Sequence, residues 1–181
     1  MLNVFFMNKM QQVKYVADSS ELISCVQTRE ITTNKSELMN DTLSLSLPYN
    51  TFLTDTRYIA VNQSGADNFA LYRVLSDSDE AEILTFECVN FAIDELDNYI
   101  VKDWVLGVCE PTKAITSTFY YSSIKECLKS LQSLGCEFTF DVTITGNAIT
   151  RKTINCYNKI GKVTNKRFEY GEDVLKIVRE Q

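Results

Sequence analysis

The chain of 181 residues contains no histidine. That absence removes the side chain that most often serves as general base, as zinc ligand and as partner to a nucleophilic serine or cysteine. Proline (2) and glycine (6) are scarce, so no low-complexity tail or flexible linker has to be set aside. No apolar run approaches the roughly 20 residues that span a bilayer. The opening Met1–Lys9 is apolar but lacks a charged n-region, an adequate h-region and a small-residue cleavage site. The expectation is a protein made in a cytoplasm with no address of its own and no membrane segment.

Missing motifs narrow the chemistry further. There is no P-loop, no dinucleotide fingerprint and no Gly-x-Ser-x-Gly elbow. Carboxylate-only, lysine-based or tyrosine-based chemistry is what remains. The net charge of −6 argues against stable binding to nucleic acid, because that affinity comes largely from Lys and Arg neutralising phosphates. A basic stretch at Lys159, Lys162, Lys166 and Arg167 is followed at once by Glu169, Glu172 and Asp173, which reads as a solvated face.

Six cysteines are present: Cys25, Cys88, Cys109, Cys127, Cys136 and Cys156. None forms a CxxC pair and most sit in apolar runs, so they are expected to be buried free thiols filling a core. No metal and no cofactor is expected.

The first half has the pattern of strands. Leu2–Met7, Gln12–Val16 and Leu22–Ile31 are candidate strands, and Thr42–Leu47 alternates most cleanly, with Leu43, Leu45 and Leu47 on one side. Pro48 ends that strand. Tyr58–Val61, Phe69–Leu75 and Glu82–Val89 continue the pattern, the last two separated by an acidic turn over Ser76–Glu80. Short strands with turn-rich connections predict an antiparallel sheet folded toward a barrel or sandwich.

The period then changes. Asn90–Ile100 is a candidate short helix and Trp104–Val108 a short strand. A stronger helix is predicted over Ile124–Leu134, with Ser123 as N-cap, Glu126 completing a capping box and Gly135 as terminator. Its apolar stripe is Ile124, Cys127, Leu128, Leu131 and Leu134. Glu137–Thr145 and Ala148–Tyr157, joined at Gly146-Asn147, predict a hairpin. The fold class is therefore α+β and mostly antiparallel β, a barrel-like β domain beside a helix-and-hairpin layer. The expected division is 1–89 as the β-rich domain, 90–158 as an α+β subdomain and 159–181 as a closing segment returning to the first domain.

Two acidic groups invite a functional reading. Asp77, Asp79, Glu80 and Glu82 lack the glycine and the spacing of a calcium loop and read as a solvated turn. Asp94, Glu95 and Asp97 could be imagined as a glycosidase pair, but a polar helix face explains them. The twenty aromatic side chains could in part line a sugar-binding face, though most fall at core-facing strand positions.

The carboxyl-terminal phrase from Ile160 to Arg179 is the most distinctive. Gly161, then Arg167-Phe168-x-Tyr170-Gly171, Asp173, Val174, Ile177 and Arg179 resemble a segment of the prophage endopeptidase tail family, the tail-associated hub proteins of siphophages. The upstream order of strands, capped helix and hairpin is similar to that of the family. Asn90 stands about where the family often has a histidine. The resemblance implies the amino-terminal hub region of a phage or prophage tail-tip (baseplate) protein. Such a protein is a virion structural subunit in the tail, trimeric, seated against the distal tail protein and the tape-measure protein. It closes the tail tube and supports host attachment and DNA passage. It implies no catalytic residue in this chain, peptidase or lysozyme-like activity belonging to a carboxyl-terminal extension. The alternatives from other classes are a carbohydrate-binding module acting at the host cell wall and a hydrolase with unrecognised carboxylates.

Overall fold

The computed structural model describes residues 3–30, 38, 40–62, 68–80, 82–97, 103–112 and 116–160. Among these residues ten strands and two α-helices follow in the order β1 (Asn3–Met7), β2 (Val13–Asp18), β3 (Ser24–Glu30), β4 (Asn40–Pro48), β5 (Tyr58–Asn62), β6 (Asn68–Glu80), β7 (Ile83–Asn90), α1 (Phe91–Glu95), β8 (Trp104–Cys109), α2 (Ile124–Gln132), β9 (Glu137–Thr145) and β10 (Ala148–Tyr157), with one turn of 3-10 helix at Thr51–Leu53. The protein is α+β and mostly antiparallel β, its main sheet curled into a half-barrel.

Seven strands form that sheet in the order β2-β1-β5-β6-β7-β4-β3. Alternation decides which side chains meet, because successive residues of a strand face opposite ways. Val4 and Phe6 of β1, Ile59 and Val61 of β5, Ala70 and Tyr72 of β6, Leu84 and Phe86 of β7, and Leu43, Leu45 and Leu47 of β4 share the concave face as one buried core. The curl brings the rings of Phe6 and Phe86 to 5.8 Å although β1 and β7 are three strands apart.

The convex face is covered over β1, β5 and β6. Phe5, Met7, Ala60, Phe69 and Leu71 pack there against Phe91, Val142 and Ile144. The covering layer is the β9–β10 hairpin, with β8 added parallel to β10. A third core of Leu96, Leu128, Cys136, Phe138, Phe140 and Cys156 lies between this layer and the helices.

The two layers are stitched at β6. One of its edges pairs with β5; the other pairs with β9 at Asn68–Phe69 and with β7 from Tyr72 to Glu80. The sheet forks there, and Phe91, which opens α1 directly after β7, is buried against residues of both branches.

Most sequence-level expectations for α2 hold. Ser123 Oγ accepts from the Glu126 N–H (3.3 Å) while the Glu126 carboxylate accepts from the Ser123 N–H (2.9 Å), a reciprocal box. Gly135 terminates the helix in the left-handed region (φ 98°), and the Cys136 N–H returns to the Leu131 carbonyl at 3.2 Å. Leu134 is the exception on the apolar stripe. It lies beyond the helix and is exposed, because the terminator turns the chain before a further turn of helix forms.

Two other expectations are corrected. Ser76–Glu80 is not a turn but the outer end of the 13-residue β6, paired with Ile83–Glu87. Its residues are exposed on both faces, so serine and aspartate are tolerated without a core side to specify. The cysteines are all free as expected, yet not all are buried: Cys109 is exposed.

Candidate functional site

The sequence motif residues Gly161, Arg167, Phe168, Tyr170, Gly171, Asp173, Val174, Ile177 and Arg179 lie outside the described residues. Among the described residues, the polar groups with the most developed geometry form two clusters, a groove and a set of outer strands.

The first cluster is one rung of the curled sheet. Arg29 pairs with Asp41 across β3 and β4, and Asn90 with Tyr72 across β7 and β6. Asp41 falls one step beyond the Thr42–Val89 pair and so stands level with Asn90. Asp41 is fully buried, and each of its oxygens accepts two hydrogen bonds. Oδ1 takes the Tyr72 hydroxyl (2.9 Å) and Gln27 Nε2 (3.2 Å); Oδ2 takes Arg29 Nη2 (2.9 Å) and Asn90 Nδ2 (3.0 Å). Burial, reinforced by the Asp41 charge, pushes the Tyr72 hydroxyl far above its ordinary value and keeps it a donor. Asn90 Oδ1 in turn accepts from the Ala92 N–H and so starts α1. No water-accessible face remains on Asp41, so its chemistry is structural: a satisfied buried anion.

The second cluster closes the other layer. Lys152 of β10, buried, places Nζ 3.2 Å from Glu95 Oε2 and 4.8 Å from the centre of the Phe91 ring. Trp104, its register partner on β8, donates to the same Glu95 oxygen at 2.7 Å. The three carboxylates of α1 and its end thus have separate cationic partners. Asp94 meets Arg73 of β6 at 2.8 Å, Glu95 meets Lys152, and Asp97 meets Lys125 of α2 at 3.7 Å. They staple a five-residue helix to three elements rather than converge on a substrate.

Asp77, Asp79 and Glu80 are exposed along the outer end of β6. Among the described residues no group of three or more His, Cys, Asp or Glu is arranged to hold a metal ion.

A polar groove of about 320 Å³ runs over Asn68, Leu106, Asp141, Arg151 and Asn155. Burial pushes the Asp141 carboxyl up, and Thr139, Arg29 and Asn155 partly oppose it. Asp141 is the sole acid among the described residues lining this groove, whereas glycoside hydrolysis uses two facing carboxylates.

The outer strands are the remaining feature. β3 and β8 each pair on one side only with described strands. β3 is preceded by exposed Ile23 and carries exposed Val26; β8 carries exposed Val105, Leu106 and Val108. Neighbouring residues Val105 and Leu106 point to opposite faces and are both exposed, so beyond Trp104 neither face of β8 is covered by the described residues. Phe119, Tyr120 and Tyr121 add a run of exposed rings before α2. No described helix is long and apolar enough to cross a membrane.

Sequence reasoning missed the Asp41 rung, although the signal was present. Asp41 shares the parity of Leu43, Leu45 and Leu47 and was bound to face the core with them. No protein-family model matches the chain, and no curated protein is significantly similar to it.

Proposed function

We propose that this chain is a structural subunit of a phage or prophage tail tip, the hub region that closes the tail tube and works through subunit contacts. The observation that carries the assembly part is the exposed apolar side chains on β3 and β8, outer strands that pair on one side only with described strands. Natural monomers blunt such edges with charge, proline or cover. Contiguous exposed apolar residues mark contact surfaces. The tail assignment itself is supported by the Gly161–Arg179 phrase, and the polar groups of the Asp41 and Lys152 clusters are engaged in holding the fold. In this reading the distal tail and tape-measure proteins are neighbours of a homotrimer in the virion.

Sedimentation of the purified chain over a range of concentrations tests it. A concentration-dependent trimer is expected, and Leu106→Lys should shift it to monomer with unchanged far-ultraviolet circular dichroism. A wild-type chain that stays monomeric at all concentrations overturns the proposal.

A second reading, a carbohydrate-binding module acting at the host cell wall, draws on Phe119, Tyr120 and Tyr121. Tyr120 and Tyr121 are 78% and 95% exposed, and flat rings stack on sugar faces. Calorimetric titration with soluble cell-wall polysaccharide distinguishes it: heat that disappears in Tyr120→Ala favours the second reading, and no heat removes it.

A further inference from the structure

Three cysteines far apart in sequence meet at one end of the β8–β10–β9 layer. Cys109 and Cys156 are register partners across the parallel β8–β10 pair. Cys136 precedes β9 and packs with Cys156 in the same core. Burial pushes the Cys156 thiol up, and Cys136 and Cys109 both act on it electrostatically in the same direction.

That meeting depends on a bulge. From Ile154↔Leu106 to Cys156↔Cys109, β10 advances two residues while β8 advances three. Without the extra residue Val108 would stand opposite Cys156. The bulge is held by Asn155, whose Oδ1 accepts from the Val108 N–H at 2.9 Å and whose Nδ2 donates to Asp141 at 2.6 Å. A Cβ at Gly107 would collide with the Asn155 and Thr153 side chains, so glycine is required for Asn155 to lie there. Asn155 is buried, and its Nδ2 also donates to Thr139 Oγ1 at 3.2 Å, so both β8 and β9 fix its side chain.

We propose that Cys109 and Cys156 form a peroxide-responsive thiol pair that closes to a disulfide linking β8 to β10. The geometry suits it. Neighbouring strands lie about 4.8 Å apart, within the roughly 4.4–6.8 Å Cα separation a disulfide spans. Exposure divides the roles. Cys109 is exposed and meets the oxidant, while Cys156 is buried, its thiol pushed up to about 12 by desolvation with Cys136 and Cys109 adding to it, and stays protonated. The Cys109 thiolate sulfur attacks hydrogen peroxide; the O–O bond breaks, giving a sulfenic acid and hydroxide, which takes a proton to become water. Cys156 Sγ then attacks the Cys109 sulfur. The S–S bond forms, the S–O bond breaks, and the departing hydroxyl leaves as water with the Cys156 proton. Two thiols are oxidised and one peroxide is reduced to two waters. The inference stands on the strand register and does not rest on the tail reading.

Treatment of the full chain with hydrogen peroxide, followed by alkylation and non-reducing peptide mapping, tests it. The expected result is a Cys109–Cys156 linked peptide, reversed by dithiothreitol, with the free thiol count falling from six to four. Cys109→Ser should abolish the loss of thiols at equal peroxide. Gly107→Ala, checked for folding by circular dichroism, should reduce the yield of the link several-fold. Cys109 stopping at sulfinic acid without a link, or a link between Cys136 and Cys156 instead, overturns the proposal.

Discussion

The two layers close their cores with opposite charges, and they do so differently. The curled sheet buries an anion, Asp41, completely and surrounds it with four donors from β3, β6 and β7. The hairpin layer buries a cation, Lys152, against ring faces and a single carboxylate that is itself 28% exposed in its side chain. A carboxylate accepts from several directions, so it can tie four strands at one level. An ammonium on a flexible stem meets one partner and uses the aromatic faces for the rest. The first arrangement fixes register across the sheet; the second pins a short helix to an edge.

The comparison breaks first at Asp41. Asp41→Ala leaves Arg29, Gln27, Tyr72 and Asn90 without their shared acceptor, and removing one member of a buried charged network costs about 3–5 kcal/mol. Urea unfolding followed by tryptophan fluorescence and circular dichroism should show that loss. A change under about 1 kcal/mol would mean that the rung is not what holds the first layer.

A smaller effect separates the layers by pH. Burial holds the Cys88 thiol up at about 12, against an unfolded value near 8.5. Between those values the native state keeps a proton that the unfolded chain has lost. The stabilisation is therefore whole below about pH 8.5 and is lost as pH rises toward 12. By pH 10 the loss from Cys88 is about 2 kcal/mol. Cys88→Ala should flatten the alkaline limb for the first layer, measured as the urea midpoint against pH. The part that remains should belong to Cys156, which is also raised to about 12, with Cys25, Cys127 and the Tyr72 hydroxyl, raised likewise, adding to it.

The smallest change is expected at Lys152. Lys152→Met keeps the apolar stem over Phe91 and Trp104, and Glu95 still accepts from Trp104 and reaches water. The cost is about 1–2 kcal/mol, discounted for that exposure. Hydrogen exchange should place it in α1 and β8, with the Asp41 rung unchanged. Equal loosening of both layers would show that they are one cooperative unit.

Much of the fold was legible in the sequence because local patterns and tertiary demand agreed. Leu43, Leu45 and Leu47 alternate because one face of β4 is buried, and the Ser123–Glu126 box needs nothing from elsewhere in the chain. Legibility fails where a distant partner decides. The outer end of β6 is written in turn residues, Ser76, Asp77, Ser78 and Asp79, and is a strand because β7 pairs with it. β8 reads as a short strand, but its parallel pairing with β10 and the bulge that aligns Cys109 with Cys156 depend on Asn155, some 46 residues away. Of the acidic clusters, Asp77, Asp79 and Glu80 are exposed as expected but lie on a strand and not in a turn, while Asp94 and Glu95 do lie on a short helix. The Asp41 rung was overlooked because a lone aspartate between Asn40 and Thr42 resembles a strand end.

The fork at β6 carries a consequence for synthesis. One edge of Asn68–Phe69 waits for Val142 and Thr143, which emerge more than seventy residues later. At typical elongation rates that interval is on the order of several seconds. During it the nascent curled sheet has its Phe69 and Leu71 face and its open backbone groups uncovered. A ribosome stall between β7 and β9 would prolong that exposed state. Slow codons there should lower the yield of folded protein more than the same codons placed after Tyr157.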